Sequence, residues 1–338
     1  MLVLFVFLST ETIYAGTLNS NVGIRFISVD FPPTKSEIKG IIWYPTLEKA
    51  QKIKLGPFNL EVAKNAQIED GRYSLVVISH GSQGSHLGHR DTAEYLAKRG
   101  FIVVSVLHPK NNYLDDSAGR TIENWINRPR HISTVLDSIL TEGDLSKYIN
   151  KDEIAVIGHS AGGYTALSLI GGVPDTSNIS KHCLDHNDDL EFCGGHGFIS
   201  RIKGIFFHTD SKDEHIIKDI NDSRIKAAVL LAPLGVLFKD ERSLMSINVP
   251  ILMYRAEKDD VLRYPYHAES INQKLHLKPE YIVVKNAGHY SFLSPFPDRL
   301  KQKVGVAAKD PKGFDRVEFH RQMNHKIFEF LSKSLRNH

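Results

Sequence analysis

The chain has 338 residues, of which 41% are hydrophobic and 24% charged, and a net charge of +3. That balance is ordinary for a folded globular protein and excludes collagen-like, disordered and polytopic membrane classes. The Lys and Arg are interspersed with Asp and Glu, so no nucleic-acid partner is expected, and at this length one large core in a single domain is the default.

Residues 2–8 form an unbroken apolar run, and polar residues then lead to Ile13, Tyr14 and Ala15, a sequence resembling a signal-peptidase site ahead of Gly16. Residues 1–15 are therefore expected to be a signal peptide, residues 16–338 the mature domain, and the protein exported, secreted or periplasmic. The run is too short to span a bilayer, which takes about 20 apolar residues, so no stable membrane anchor is expected.

Residues 22–29 and 38–44 alternate enough to form an antiparallel pair at a sheet edge. From residue 73 onward, short apolar runs at 75–79, 101–107, 153–157, 227–231, 251–254 and 281–284 read as strands buried on both faces. Longer amphipathic stretches at 87–99, 130–140, 161–170, 264–275 and 314–335 read as helices between them. Such alternation predicts an α/β fold, a mostly parallel central sheet flanked by helices. Residues 171–223 break the rhythm with few apolar runs and many Asp, Asn, His and Gly. A structureless loop of that length is unusual, so a small cap insertion over the site is expected there. Both cysteines of the chain, Cys183 and Cys193, fall in it, and in an exported protein they are expected to close a short disulfide loop.

The strongest chemical signal is Gly158-His159-Ser160-Ala161-Gly162-Gly163, set directly between an apolar strand and an apolar helix. A bare G-x-S-x-G match says little, but at a strand-to-helix turn the glycines allow a sharp bend that lifts the Ser160 hydroxyl clear of the sheet. A serine hydroxyl is a weak nucleophile at neutral pH and needs a base within reach and a carboxylate to fix the base's tautomer. In folds of this kind the order along the chain is Ser, acid, His, each on a loop after a strand. The acid slot is the loop 255–260, where Asp259 is favoured over Asp260 and Glu257. The base slot holds His289, alone among 17 histidines in following the last strand in a Gly-preceded turn. Negative charge developing on the acyl oxygen needs donors, and the backbone N–H groups of Ser82, in the small-residue loop 79–84, and of Ala161 are expected to form the oxyanion hole. No cofactor is expected. His182, His186 and His196 with Asp185, Asp188 and Asp189 show no H-E-x-x-H or paired C-x-x-C spacing, so no metal is expected.

With these motifs the chain resembles the α/β-hydrolases of the dienelactone-hydrolase-like kind, and within them the plasma-type platelet-activating-factor acetylhydrolase group. The likeness covers roughly residues 22–336. It rests on Ser79-His80-Gly81, the step Leu96 to Phe101, His108-Pro109, Arg128-Pro129, Gly158-His159-Ser160, the run Asp222 to Ala227, Gly288-His289 and Gly313 to Arg316. The resemblance implies an α/β-hydrolase fold and cleavage of carboxylic esters, with a small-molecule or lipid ester, short-chain acyl or phospholipid-type, as the partner. Ser160 stands where true dienelactone hydrolases carry cysteine, which turns the expectation from lactones to acyl esters. His131 stands where Asp usually follows Arg-Pro. The same machinery would serve a thioesterase, amidase or peptidase. A non-catalytic binding protein that keeps the fold is the remaining alternative, and the order of the three residues argues against it.

Overall fold

The computed structural model of the protein describes residues 20–141, 144–194 and 215–336. The expected signal peptide at 1–15, part of the expected cap, and His196 lie outside them. The strands are β1 Asn21–Phe31, β2 Ser36–Thr46, β3 Gln51–Leu55, β4 Phe58–Lys64, β5 Tyr73–Ser79, β6 Phe101–Leu107, β7 Ile149–His159, β8 Ile225–Leu231, β9 Ile251–Ala256 and β10 Glu280–Val284. The helices, among the described residues, are α1 Arg90–Ala97, α2 Ile122–Thr141, α3 Ala161–Leu169, α4 Ser177–Asp185, α5 Ala268–Lys274, α6 Asp298–Val304 and α7 Arg316–Arg336.

All ten strands join one sheet in the order β10-β9-β8-β7-β5-β6-β2-β1-β4-β3, parallel from β10 to β6. The central stretches of the parallel strands are runs of apolar side chains, because both faces are covered. Leu75 and Val77 of β5 point to one side, where Ile132, Leu136, Tyr164 and Ile271 of α2, α3 and α5 complete a core. Val76 and Ile78 point to the other, against Leu96 of α1 and Ile327 and Leu331 of α7. Two cores thus form on either side of the sheet, as the two-residue period of a strand requires.

The chain leaves β5 through α1 on one face and leaves β7, its neighbour, through α3 on the opposite face. Their loops therefore diverge at the carboxyl ends of adjacent strands, which opens a crevice at the switch in strand order. The residues after Ser79 and after His159 line it.

Two expectations are corrected. The antiparallel pair β1/β2 forms, but it is not the edge: the hairpin β3/β4 continues the sheet beyond it, with β4 parallel to β1 through Gly23 and Ala63. Ile53, Leu55, Phe58, Leu60 and Val62 alternate with polar residues in that hairpin, and Gly56, at φ +53°, takes the positive φ that a two-residue turn needs at its first central position. Helix α2 begins at Ile122 rather than 130 and runs through Pro129. Proline cannot donate to the carbonyl four residues earlier. That carbonyl belongs to Trp125, and the Tyr164 hydroxyl donates to it at 2.9 Å, which makes good the missing bond.

Candidate active site

Ser160 sits between β7 and α3 at φ +56°, ψ −118°, a strained conformation for a residue with a side chain. The turn closes only because its glycines are bare: a Cβ on Gly158 would lie 2.0 Å from the Gly162 carbonyl oxygen, and one on Gly162 would lie 1.9 Å from that of Ser79. The turn is fastened on both sides. Ser160 N–H donates to Leu231 O at 3.0 Å, and Ser160 O accepts from Gly163 N–H at 2.8 Å and Leu234 N–H at 3.1 Å.

His289 and Asp259 meet across the loops that follow β10 and β9, with His289 Nδ1 2.9 Å from Asp259 Oδ2. Both side chains are almost wholly buried. The other carboxylate oxygen, Oδ1, accepts the backbone N–H groups of Val261 at 3.0 Å and Leu262 at 2.7 Å. Asp259 is thus held as an acceptor facing His289 Nδ1, the arrangement that directs an Nδ1 proton to the carboxylate and turns Nε2 away from it. The two rival carboxylates stand elsewhere. Asp260 is exposed, and Glu257 pairs with Lys285 at 2.8 Å and accepts Asn286 N–H at 2.8 Å.

His159, the residue before Ser160, stacks its ring 5.0 Å from that of His289 and approaches the His289 main-chain oxygen through Nε2 at 3.1 Å. Burial, with His289 close by, pushes the His159 imidazole well below its usual range, so it stays neutral with its proton on Nε2. Nothing in a single sequence distinguishes this histidine from any other residue at the variable position of the motif.

Ser82 lies in a tight turn in which Gly84 N–H donates to Gly81 O at 3.0 Å. The loop abuts the serine, since a Cβ on Gly81 would come within 3.1 Å of Ser160 Cβ. Among the described residues, neither Ser82 N–H nor Ala161 N–H has a hydrogen-bond partner.

The described part of the expected cap holds α4 and the disulfide between Cys183 and Cys193. His182, Asp189 and His267 are buried with ligand atoms all within 4.8 Å of one another, a donor set of metal-binding type. The tautomer opposes that use. His267 Nδ1 receives Gly235 N–H at 3.3 Å, so its proton is on Nε2, which faces Asp189 Oδ2 at 2.9 Å. A metal-bound histidine shows the reverse, a bare nitrogen toward the ion and an N–H toward an acceptor. His182 Nε2 meets the same oxygen at 2.8 Å, and Asp189 Oδ1 accepts Arg263 N–H at 3.4 Å. His186 packs on Tyr266, Asp188 accepts the Tyr266 hydroxyl at 3.0 Å, and Asp185 lies 4.0 Å from Lys239. Among the described residues no helix is long and apolar enough to cross a membrane.

Over nearly its whole length the chain superimposes on a ferulic acid esterase from Streptomyces cinnamoneus, with a TM-score of 0.62, 17% identity, and coverage of 95% of this chain and 91% of that one. The fold is that of the α/β-hydrolases. Within it, residues 45–184 match the model of the chlorophyllase family, less than half of the chain. A cutinase, est1 of Thermobifida alba, is 28% identical over 109 residues, 32% of this chain and 33% of its own length. Chlorophyllase type 0 of Chenopodium album is 32% identical over 113 residues, 31% of this chain and 30% of its own. The chain thus spans about a third of the length of the curated relatives it matches. The narrower resemblance to dienelactone hydrolases and platelet-activating-factor acetylhydrolases is not among these matches.

Proposed function

We propose that this chain is a serine hydrolase of carboxylic esters, with Ser160 as nucleophile, His289 as general base and Asp259 as its orienting carboxylate. The observation that carries the reading is the 2.9 Å contact of His289 Nδ1 with Asp259 Oδ2, which leaves Nε2 as the basic nitrogen. The strained Ser160 turn and the esters named for the relatives support it.

In the proposed reaction Ser160 Oγ attacks the ester carbonyl carbon while its proton passes to His289 Nε2, and Asp259 stabilises the imidazolium. The carbonyl oxygen becomes an alkoxide facing the N–H groups of Ser82 and Ala161. Collapse breaks the bond to the alcohol, which leaves with the proton from His289. Water, deprotonated by the same nitrogen, then attacks the acyl-enzyme and releases the acid, restoring Ser160.

Short acyl or phospholipid-type esters are the proposed substrates, on the resemblance to the acetylhydrolase group. Export is part of the proposal, supported by the Cys183–Cys193 disulfide. The test is a panel of p-nitrophenyl esters from C2 to C16 and short-chain phospholipids, with matched thioesters and amides. Ser160→Ala is expected to lose activity by about 10⁴-fold or more. Unchanged turnover in that variant overturns the proposal. Equal kcat/KM for an amide and its ester replaces esterase with amidase.

A further inference from the structure

Behind the Ser160 turn lies a guanidinium that, among the described residues, touches no carboxylate directly. Arg128, on α2, is fully buried. It donates through Nε to Thr165 Oγ1 at 3.1 Å, through Nη1 to Asn111 Oδ1 at 2.6 Å, and through Nη2 to Ser79 Oγ at 3.3 Å and to the His80 carbonyl. Every acceptor is neutral. The histidines around it, His80, His108 and His131, are kept uncharged by burial and by the guanidinium itself. Burying a cation with no carboxylate in direct contact is costly, and its hydrogen bonds offset that cost. Those bonds can serve a purpose beyond stability.

Its contacts supply one. The His80 carbonyl anchors one end of the loop that carries Ser82. The other end is anchored through the same network, since Asn111 Nδ2 donates to Asp116 Oδ1 at 2.6 Å and Gln83 Nε2 donates to Asp116 Oδ2 at 2.7 Å. Ser82 lies between the two anchors. Thr165, another of the four acceptors, donates its own hydroxyl to Ala161 O at 3.0 Å, so the guanidinium also grips the first turn of α3. One planar, rigid fork therefore spans the two elements that carry the Ser82 and Ala161 N–H groups.

Resting on the hydrolase reading above, we infer that Arg128 is a positioning residue that fixes the spacing of the two oxyanion donors, with Asn111 and Asp116 extending its hold to Gln83. It never touches the ester. Its fixed positive charge also favours the oxyanion over the neutral carbonyl, a contribution realised only as charge develops.

The test compares wild type with Arg128→Met, Arg128→Lys and the exposed-end variant Asp116→Ala. Each is assayed for kcat and KM on p-nitrophenyl acetate, for inhibition by a trifluoromethyl ketone, and for melting temperature. Active sites are counted by fluorophosphonate labelling of Ser160. Arg128→Met is expected to lower kcat by about 100-fold, the scale of losing one oxyanion donor, with KM within about threefold. Ketone affinity is expected to fall by the same factor as kcat/KM, because both depend on the oxyanion geometry. Arg128→Lys, which restores the charge but not the fork, is expected to remain about tenfold down. Asp116→Ala, at the solvent side and safe for folding, is expected to lose about tenfold in kcat at an unchanged melting temperature. A labelled, ester-cleaving wild type whose folded Arg128→Met and Asp116→Ala variants keep kcat and ketone affinity within about twofold overturns the positioning role and leaves the hydrolase standing. A folded wild type that neither labels nor cleaves esters overturns both.

Discussion

His159 Nε2 reaches the main-chain oxygen of His289 at 3.1 Å, so the residue before Ser160 steadies the turn that carries His289. The bond crosses from β7 to the loop after β10, between elements separated in the sheet by β8 and β9. Replacing His159 with Leu leaves that carbonyl without its donor. The expected result is a fall in kcat of about tenfold, with a stability loss of about 1 to 3 kcal/mol for the unpaired buried acceptor. Steady-state kinetics beside urea denaturation separates the two, and full kcat in a folded variant removes His159 from the positioning of His289.

The acid assignment separates neighbouring residues. Asp259→Asn keeps the shape but offers His289 Nδ1 an amide that can present its NH₂, which disfavours the useful tautomer, so kcat is expected to fall by about 10³- to 10⁴-fold. Asp260→Asn, at an exposed position, is expected to stay within about twofold. Reversed results would move the acid by one residue.

The parallel strands and the slots for Ser160, Asp259 and His289 are legible in the sequence because they follow from local pattern. An apolar run marks a strand buried on both faces, and a loop directly after it marks the carboxyl rim. The hairpin β3/β4 is legible in principle, since its apolar residues alternate, but Lys52, Lys54, Asn59 and Glu61 dilute the run. What the sequence hides is non-local. The start of α2 is concealed because Pro129 reads as a helix stop until Tyr164, 35 residues on, supplies a donor for the Trp125 carbonyl. The network around Arg128 joins Ser79, His80, Asn111 and Thr165, residues that only the fold gathers.

That substitute bond gives a stability prediction remote from catalysis. Tyr164→Phe removes only a hydroxyl, yet it leaves the Trp125 carbonyl, inside a helix that cannot bond it, without a partner. The expected loss is about 1 to 3 kcal/mol. Tyr164→Phe combined with Pro129→Ala should recover part of it, because the alanine N–H restores the helical bond. No recovery in the pair would mean that the hydroxyl stabilises through some other contact.

Burial fixes the direction of the pH dependence. It lowers His89 to about 4 and His131 to about 3, and holds His80, His108 and His159 well below their usual range. In the unfolded chain these rings take up protons near pH 6.5, whereas in the folded protein they do not until far lower. Stability is therefore complete above about pH 6.5 and drains away as the pH falls toward 4, by about 1.4 kcal/mol per pH unit for each ring. Urea midpoints at pH 7.5, 6 and 5 should decline steeply. A flat profile would show that these rings are protonated in the folded state.

Asp189 and the disulfide hold the same loop, and their effects should not add. The carboxylate lies between Cys183 and Cys193 and accepts from His182 and His267, bonds that outweigh the opposing effect of burial and bring it to about 2. Through His267 and Arg263 N–H it ties the cap to the segment following Asp259. Asp189→Leu leaves two buried N–H groups unpaired, a cost of about 1 to 3 kcal/mol each. Replacing both cysteines with serine frees a loop with a sequence separation of 10, worth about 2 to 3 kcal/mol. With either fastening lost, the loop can leave its place in a partial opening, so the second change then removes less. The combined variant should fall short of the summed losses by more than about 0.5 kcal/mol, the limit within which independent sites add. Urea denaturation of the four proteins measures the coupling, and strict additivity would mean that disulfide and carboxylate stabilise separate parts of the cap.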